Sequence, residues 1–423
     1  MFFDGTMSYN HSLRKDASDS NLKVTPIAGT YPSIAIEGIR MASAYDPWRE
    51  ANLALPRLMN SDSVYLYGIG LGHLPHVVLN SSSYIEHLFV TILNSKVFDI
   101  QLEHMPFKEW MDDPRVHIRL ATPSDKPTHS DAMHIALPDL QLIAPPLWRL
   151  RDRLNAHLNQ NFINSAFRSD DPALQTLLKA NEGILQQDPG VKALFKQAPT
   201  RHACVIGSGP SLEQNIAWLR EHTGKTSPPW VIAVDTAFAP LLEAGVKVDC
   251  VVSIEKKINT RWLPTERSEN ISLVYTPVVP NDVLLAWKGP RYASFTQTDL
   301  HQTSAFFDAA SCLFCGGSVV HTATDLALRM GFESISFWGV DFGYPGGKTH
   351  SYWPSGELGG HPERSGHWVM DVNGHKLASS PNFANYLAEM EDHIARHPHI
   401  QFFNASPCGA EILGAQPFSE YSV

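Results

Sequence analysis

Cysteine, positive charge and long apolar runs are all scarce in this sequence. The 5 cysteines among 423 residues are an odd number scattered through apolar stretches, which excludes a disulfide framework and favours a reducing compartment, the cytoplasm. Lys and Arg number 33 against 43 Asp and Glu, so the net charge of -10 argues against a nucleic-acid-binding protein. No segment is apolar for long enough to span a bilayer, and the first twenty residues lack the apolar core of a signal peptide, so we expect no membrane insertion.

Apolar residues make up 43% of the chain, which is enough to bury sizeable cores, and the length predicts two or three domains. Residues 1–29 read as a flexible polar tail. Residues 30–144 carry short apolar runs typical of a smaller α/β domain, and residues 145–198 have apolar residues at helical spacing after Asp-Pro pairs, which predicts a helical connector. The remaining residues, 199–423, form the third predicted segment after the tail.

This third segment alternates short apolar strands with amphipathic helices. The predicted strands include ACVI, WVIAV, DCVVSI, ISLVY, YASF and SISFWG. Continuous apolar strands between such helices are typical of a parallel sheet that is covered on both faces. The sequence therefore predicts an α/β fold whose central domain is doubly wound, mostly parallel and Rossmann-like, with ligands bound at the carboxyl ends of the strands.

The turn after the first of these strands, GSGPSL, resembles a phosphate-binding turn without matching either common motif. Leu212 stands where a dinucleotide-binding fingerprint has its third glycine, and no Lys-Ser/Thr pair follows as in a P-loop. Two glycines that let the backbone approach a ligand, a proline suited to a first helical turn and two hydroxyls instead predict an anion and nucleotide cradle. An ordinary strand-to-helix turn is the alternative. The candidate residues are Gly207, Ser208, Gly209, Pro210 and Ser211.

Further polar residues follow the neighbouring strands, where they would reach the same edge of the sheet. One helix start, CGGSVV, offers a second N-terminus that could meet an anion. Asp235 has two readings of equal weight, a ligand-binding carboxylate at a strand end or a helix cap. The candidate residues are Asp235 and Thr236, Ser253 and Glu255, Gly317 and Ser318, and Asp341.

The segment from Gly343 to His375 is loop-like and rich in glycine and histidine. Lys348 and His350 in YPGGKTH would bring a cation and a titratable imidazole to the sheet edge, and His367 is the reserve imidazole. The histidine spacing matches no standard metal site, so we expect no metal there. The cysteines of CLFC, 312–315, have apolar flanks and are interpreted as buried small hydrophobes rather than as metal ligands.

A second glycine-rich segment, GIGLG at 68–72, lies at a strand-to-turn boundary in the smaller domain. It could approach a nucleotide, but it has no acidic partner about 20 residues further on. A tight turn is the favoured interpretation.

Several of these motifs, taken in order, resemble the motility-associated-factor (Maf) glycosyltransferases. They are GSGPSL, IAVDTAFAPLLEAGVKVDCVVSIE, GGSVVHTATDLALRMGF, VDFGYPGGKTH, DVNGHKLASS and NASPCGAEILGA, with SAYDPWREAN and YGIGLGH resembling the amino-terminal domain of that family. The GPS turn and the GVDF strand are also similar to bacterial sialyltransferases that use CMP-sialic acid. Glu255 stands where the family more often has Asp.

The resemblance implies transfer of a nonulosonic acid, such as pseudaminic or legionaminic acid, from its CMP-activated form to Ser or Thr of flagellin in the cytoplasm. Fixed donors at the departing phosphate would come from Gly209, Ser211, Ser318 and Lys348. His350 is the first choice of general base, with His367 in reserve, and a single inverting displacement is expected. The chain has no D-x-D, so no metal or other cofactor is expected.

Two other functions stay open at this point. The central domain also resembles archaeal 6-hydroxymethylpterin diphosphokinases, which implies diphosphate transfer from ATP with Mg²⁺. A nucleotide-binding partner in flagellar assembly that has no catalytic activity is the third possibility.

Overall fold

The computed structural model describes residues 22–81, 84–128, 130–165, 170–226, 228–351 and 366–419. The chain divides into two compact units, Met1–Leu154 and Asn155–Val423. The boundary falls inside one helix, Trp148–Ser165, which begins the segment predicted as a connector. Most of the predicted tail, up to residue 21, lies outside the described residues, but Val24–Ile27 at its end form a strand because Val24 and Ile27 pair with Ile36 and Ser33.

The first unit contains a short antiparallel sheet and a parallel α/β layer. Its strands and helices, in chain order, are β1 Val24–Ile27, β2 Ser33–Ile36, β3 Ile39–Arg40, α1 Pro47–Leu58, β4 Ser63–Tyr67, α2 His73–Ser81, β5 His87–Ile92, α3 Ser95–His104, β6 Val116–Leu120, β7 Met133–Ile135, α4 Leu137–Gln141 and the start of α5, Trp148–Ser165.

The last four strands of this unit form a parallel sheet in the order β6-β5-β4-β7. Inward-facing Val64, Leu66, Leu88 and Val90 are at most 1% exposed and form the main core together with side chains of α1, α2 and α3. The chain moves from β4 outward to β5 and β6, and then returns to the other side of β4 for β7. Such a reversal leaves a crevice at the carboxyl ends of β4 and β7.

The second unit is built around a larger sheet with helices between its strands. Its elements are α6 Pro172–Ala180, α7 Glu182–Gln187, β8 His202–Ile206, α8 Leu212–Thr223, β9 Trp230–Val234, α9 Asp235–Glu243, β10 Cys250–Ser253, β11 Ser272–Tyr275, α10 Asn281–Ala286, β12 Arg291–Ala293, α11 Asp299–Gln302, α12 Val319–Met330, β13 Ser334–Trp338, β14 Trp368–Met370, β15 Lys376–Ala378, α13 Pro381–Ala395, β16 Gln401–Asn404 and β17 Gln416–Pro417.

This sheet has eight strands in the order β12-β11-β10-β9-β8-β13-β16-β17, and every neighbouring pair is parallel. The central strands are buried along their whole length, as continuous apolar sequences such as HACVI and CVVS require when helices cover both faces. The predicted doubly wound, Rossmann-like α/β fold is confirmed. The strand order reverses between β8 and β13, which places the ligand crevice of this fold after those two strands.

Helix starts in the connector and near the carboxyl end follow their local sequence. Asp171 accepts a hydrogen bond from Ala173 N–H at 2.9 Å, and Pro172 occupies the first turn of α6. Ser380 accepts from Phe383 N–H at 3.2 Å before Pro381 in α13. These pairings agree with the predicted Asp-Pro helix start at Asp171.

The prediction that residues 343–375 form one continuous loop is wrong at its end. Trp368–Met370 and Lys376–Ala378 pair as an antiparallel hairpin, with the Lys376 ammonium 4.4 Å from the Trp368 ring centre. The hairpin forms because the turn at Gly374, with φ of +80°, lets these short strands pair. Trp353 and His361 lie outside the described residues.

Candidate functional site

The glycine-rich turn after β8 packs directly against the loop after β13. Gly207 N–H donates to the Trp338 carbonyl at 2.8 Å, and Gly209 N–H donates to the Gly339 carbonyl at 2.7 Å. A Cβ on Gly207 would lie 2.6 Å from the Gly339 oxygen, so only glycine permits this approach. The glycines of the predicted cradle therefore serve contact between two loops at the strand reversal.

The carboxylate of Asp341 occupies the start of α8, where a ligand phosphate was predicted. Asp341 is 3% exposed and accepts hydrogen bonds from Ser211 N–H at 2.9 Å, from Ser211 Oγ at 2.5 Å and from Ser406 Oγ at 2.7 Å. A Cβ on Gly209 would lie 2.5 Å from Asp341 Oδ2. A helix N-terminus attracts a negative charge, and in this protein its own chain supplies that charge.

This arrangement gives the donors of Gly209 and Ser211 partners within the chain, while the ligand-binding roles of Gly209, Pro210, Ser211 and Asp341 stay predictions. Ser211 is fully buried with both of its donors on Asp341, and the N–H of Gly209 is bonded to Gly339. Pro210 is buried, and its carbonyl accepts from Glu213 N–H. The bonds of these four residues fix the shape of the turn.

Polar side chains from three successive strand ends form a continuous row at the carboxyl edge of the sheet. Thr236 Oγ1 lies 2.8 Å from Ser208 Oγ, and Ser253 Oγ donates to Asp235 Oδ2 at 2.7 Å. Asp235 and Thr236 are joined by a bond from Thr236 N–H to Asp235 Oδ1 at 2.8 Å. Four residues predicted from separate motifs are thus brought together, and we call them the polar row: Ser208, Thr236, Asp235 and Ser253.

Asp235 is the ionisable member of this row. It is 1% exposed, and burial raises the pKa of its carboxyl to about 6, with the nearby Glu255 charge acting in the same direction and the bonds from Ser253 and Thr236 opposing. Its bond to the adjacent Thr236 N–H lies at the first turn of α9, so Asp235 combines a local helix contact with a position in the row. Perturbed carboxyls in a crevice are candidates for function.

The helix α12 packs against β8, β9 and β10 and leads into β13. A helix that leads into a strand of a parallel sheet starts at the carboxyl edge of that sheet, so the N-terminus of α12 belongs to this edge. Ser318 precedes the helix with extended backbone, and its side chain makes no capping bond. Gly317 has φ of +93°, and a Cβ there would lie 2.5 Å from Cε1 of Tyr386. Tyr386 is half-buried and near Glu255, and burial raises the pKa of its phenol.

The loop that carries Lys348 and His350 returns to the glycine-rich turn. Ser351 N–H donates to the Ser208 carbonyl at 2.8 Å, which brings His350 next to the polar row. Burial lowers the pKa of His350, so the neutral imidazole is favoured at neutral pH. Lys348 was expected to serve a phosphate, and its ammonium lies 3.0 Å from a carboxylate oxygen of Glu213, which compensates its charge.

His367, the reserve base, lies just before the strand β14, and its carbonyl accepts from Ser379 N–H at 2.9 Å. No bond joins it to the polar row among the described residues. Cys312 is buried and Cys315 is half-buried, and burial raises the pKa of both thiols, which makes them poor nucleophiles. Within the described ranges no group of three or more His, Cys, Asp and Glu is placed to hold a metal ion.

Four residues of this region were not predicted: Ser406, Tyr386, Thr276 and Ser351. Ser406 had a signal, since it lies in the NASPCGA segment that carries the family resemblance. Tyr386 faces Gly317 from a helix that no motif marked. Thr276 directly follows the end of β11, and Ser351 directly follows His350. Only the fold shows that both residues lie at this edge of the sheet.

A cavity of about 670 Å³ lies on another side of α8. Trp218, Trp338 and Phe418 contribute to its wall, and Trp218 stacks on Trp338 with ring centres 4.6 Å apart. Ser406 contributes to the same wall while bonding to Asp341. The cavity contains none of the predicted ligand-binding residues, so we place the candidate site at the polar row.

In the second crevice, at the carboxyl ends of β4 and β7, the GIGLG segment forms the favoured tight turn. Asp139 is 5% exposed and accepts from Ile69 N–H at 3.1 Å and from Gly70 N–H at 3.0 Å. A Cβ on Gly68 would collide with Asp139. The acidic partner of this turn is therefore a buried residue far along the chain.

No helix among the described residues is both long and apolar enough to cross a membrane.

Comparison with known proteins gives a match to a family model and a likeness to a solved structure. The family model described as 6-hydroxymethylpterin diphosphokinase MptE-like matches residues 175–347, less than half of the chain. The structure of a Maf glycosyltransferase from Magnetospirillum magneticum AMB-1 is similar over 97% of this chain and 72% of that chain, at 16% identity and a TM-score of 0.44. Values this low carry no argument about function. No curated protein matches the chain.

Proposed function

We propose that this protein is a glycosyltransferase that moves a nonulosonic acid from a CMP-activated donor to Ser or Thr of flagellin. One observation carries the proposal: four separate segments that resemble the Maf family converge on one sheet edge. The bonds Ser208–Thr236, Asp235–Ser253, Ser211–Asp341 and Ser406–Asp341, with the contact of Ser351 to Ser208, join these segments. We further propose that the reaction takes place in the cytoplasm.

The proposed chemistry is a single displacement with inversion. The acceptor hydroxyl oxygen forms a bond to the anomeric carbon while the bond from that carbon to the phosphate oxygen breaks, and CMP leaves with the electron pair. Negative charge grows on the phosphate, so fixed donors should face it. Because Asp341 already occupies the start of α8, we assign this role to the start of α12 at Gly317 and Ser318, and the nucleoside to the polar row.

The acceptor proton needs a base that is neutral before the reaction. His350 fits this role because burial lowers the pKa of its imidazole and because its neighbour Ser351 contacts Ser208. The proton of the acceptor hydroxyl would pass to the His350 ring as the new bond forms. The missing D-x-D and the lysine-poor edge support a reaction without metal.

A second candidate function is diphosphate transfer to a pterin, which the match to a pterin diphosphokinase family model over residues 175–347 favours. That match spans the polar row, α12 and Asp341, so both functions would use the same edge. They differ in the nucleotide: the kinase needs ATP with Mg²⁺, whereas the transferase needs a CMP-sugar. An assembly factor without catalysis would bind a nucleotide and release no product.

Calorimetry and product analysis with purified protein test the proposal. We expect CMP to bind in excess EDTA, and CMP-sialic acid to be cleaved to CMP when flagellin is present. His350→Ala should keep CMP affinity and slow transfer by roughly 10²–10⁴-fold, the usual effect of losing a general base. His399→Ala, at the opposite end of the sheet, is the control. Binding of ATP with Mg²⁺ but not of CMP would instead establish the kinase.

A further inference from the structure

The polar row extends by one hydroxyl residue at each end. At one end, Ser351 N–H donates to the Ser208 carbonyl at 2.8 Å, and at the other Thr276 N–H donates to the Ser253 carbonyl at 3.1 Å. Both added residues are buried, Ser351 completely and Thr276 to within 2%. The extended row therefore reads Ser351, Ser208, Thr236 with Asp235, Ser253 and Thr276.

The inner hydroxyls and the outer hydroxyls differ in their hydrogen bonding. The side chains of Ser208 and Thr236 contact one another, and Ser253 donates to Asp235. Among the residues that the structure describes, none forms a hydrogen bond with Thr276 Oγ1 or Ser351 Oγ. Buried hydroxyls without a partner cost stability and are rare in folded proteins, so each calls for a reason.

The separation between neighbouring strands indicates how long a ligand must be to form hydrogen bonds with the hydroxyls of both Thr276 and Ser351. The extended row crosses the ends of four adjacent strands, β8 to β11, which is a span of about 14 Å at the usual strand separation. A ligand with polar groups along such a length is an extended one, such as a nucleotide that carries a further group. No lysine or arginine belongs to the row, so hydroxyl and carbonyl groups would do the recognition.

We propose that Thr276 and Ser351 are ligand-binding residues that hold the two ends of a nucleotide-linked substrate, directly or through a bridging water. This inference deepens the proposed function and rests on it for the identity of the nucleotide. A ligand that lies along the row supplies the partner that each hydroxyl lacks in the free chain. The two side chains therefore contribute to binding at the expense of stability.

Thr276→Val and Ser351→Ala separate this role from a structural one. Valine keeps the shape of threonine and removes only the hydroxyl, so the Tm of the ligand-free protein should not fall. Affinity should fall by about 2- to 10-fold for each variant, as expected for one lost hydrogen bond. Thr223→Val is the matched control: Thr223 is 3% exposed, and its hydroxyl accepts from Lys247 N–H at 3.3 Å, so that variant should lower Tm and leave affinity unchanged.

The titrations use CMP in EDTA and ATP with Mg²⁺, each with wild type, both single variants and the double variant. Weaker CMP binding by the variants supports the inference together with the proposed function. Weaker binding of ATP with Mg²⁺, where CMP does not bind, supports the inference and rejects the proposed function. Equal affinity of wild type and double variant overturns the inference alone, as does a Tm loss in Thr276→Val equal to that of Thr223→Val. Failure of wild type to bind either nucleotide overturns both.

Discussion

At the scale of single residues, the second unit has two buried carboxylates at the same sheet edge with different partners. Asp341 accepts three hydrogen bonds from two serines and holds the glycine-rich turn. Asp235 accepts from Ser253 and Thr236 and lies in the polar row. Burial raises the pKa of both carboxyls. The position of Asp341 is explained by its bonds to the turn, whereas the helix contact of Asp235 explains only part of its position.

Asp235→Asn should change how stability depends on pH. The pKa of Asp235 is about 6 in the folded chain and about 3.9 when unfolded, so between these values the folded chain keeps a proton that the unfolded chain has lost. The Asp235 contribution to the free energy of unfolding therefore falls as pH rises from about 4 to 6, by about 3 kcal/mol in full. Asn cannot ionise, so the Tm difference, variant minus wild type, should rise across that window.

Thermal unfolding at pH 4.0, 5.0, 6.0 and 7.0 measures this difference. Asp113→Asn is the control, because the Arg115 guanidinium lowers the pKa of Asp113 to about 2 in the folded chain, and in the unfolded chain Asp113 is ionised above about pH 5. Its Tm difference should be flat from about pH 5 upward. A flat curve for Asp235→Asn would show that this carboxyl is not perturbed by burial.

At the scale of elements, two helix N-termini meet the same edge of the sheet and differ in what faces them. The start of α8 is neutralised by Asp341, whereas Ser318 at the start of α12 makes no capping bond. Gly317, with φ of +93°, brings the chain into α12 close to the ring of Tyr386. The geometry of this entrance depends on the packing of α12 against α13.

Gly317→Ala should damage both the helix start and the ligand site. A side chain there adopts φ of +93° and collides with Tyr386 at 2.5 Å. Positive φ alone costs a non-glycine residue about 1–2 kcal/mol, and the collision adds to it.

Gly374→Ala is the matched control, since Gly374 has φ of +80° and a Cβ added there would have no atom within 4 Å. We expect Gly317→Ala to lower Tm further than the control and to weaken CMP binding, while Gly374→Ala leaves CMP affinity unchanged. Equal effects of the two variants on Tm and affinity would contradict the role given to this contact.

At the scale of the whole molecule, the two compact units use the same device at the reversal of their parallel sheets. In each unit, a glycine-rich turn follows one strand at the reversal, β4 or β8, and a buried Asp follows the neighbouring strand, β7 or β13. The Asp carboxylate accepts hydrogen bonds from backbone N–H groups of that turn. Asp139 does so for Ile69 and Gly70, and Asp341 does so for Ser211. The polar row lies at the edge of the second unit, which is where we propose that the nucleotide binds.

Asp139→Asn and Asp341→Asn should each loosen the unit that contains the substituted residue. An amide donates where a carboxylate accepts, and one unsatisfied buried donor costs about 1–3 kcal/mol. Hydrogen exchange followed by mass spectrometry should show faster exchange around β4 and β7 for Asp139→Asn, and around β8 and β13 for Asp341→Asn. Faster exchange of both regions in either variant would contradict this assignment.

The sequence by itself determined the class of fold and the positions of most central strands. Continuous apolar segments such as HACVI and CVVS can be buried on both faces only in a covered parallel sheet, and residues after such strands necessarily meet at one edge. For that reason Ser208, Asp235, Thr236 and Ser253 could be predicted as neighbours.

Tertiary structure alone decided which groups face a ligand and which face each other. Asp341 accepts from Ser211, which is 130 residues away, Glu213 pairs with Lys348, and Tyr386 reaches Gly317 from a separate helix. These partners depend on distances between segments that no local pattern encodes, because each is set by how whole helices and loops pack around the sheet.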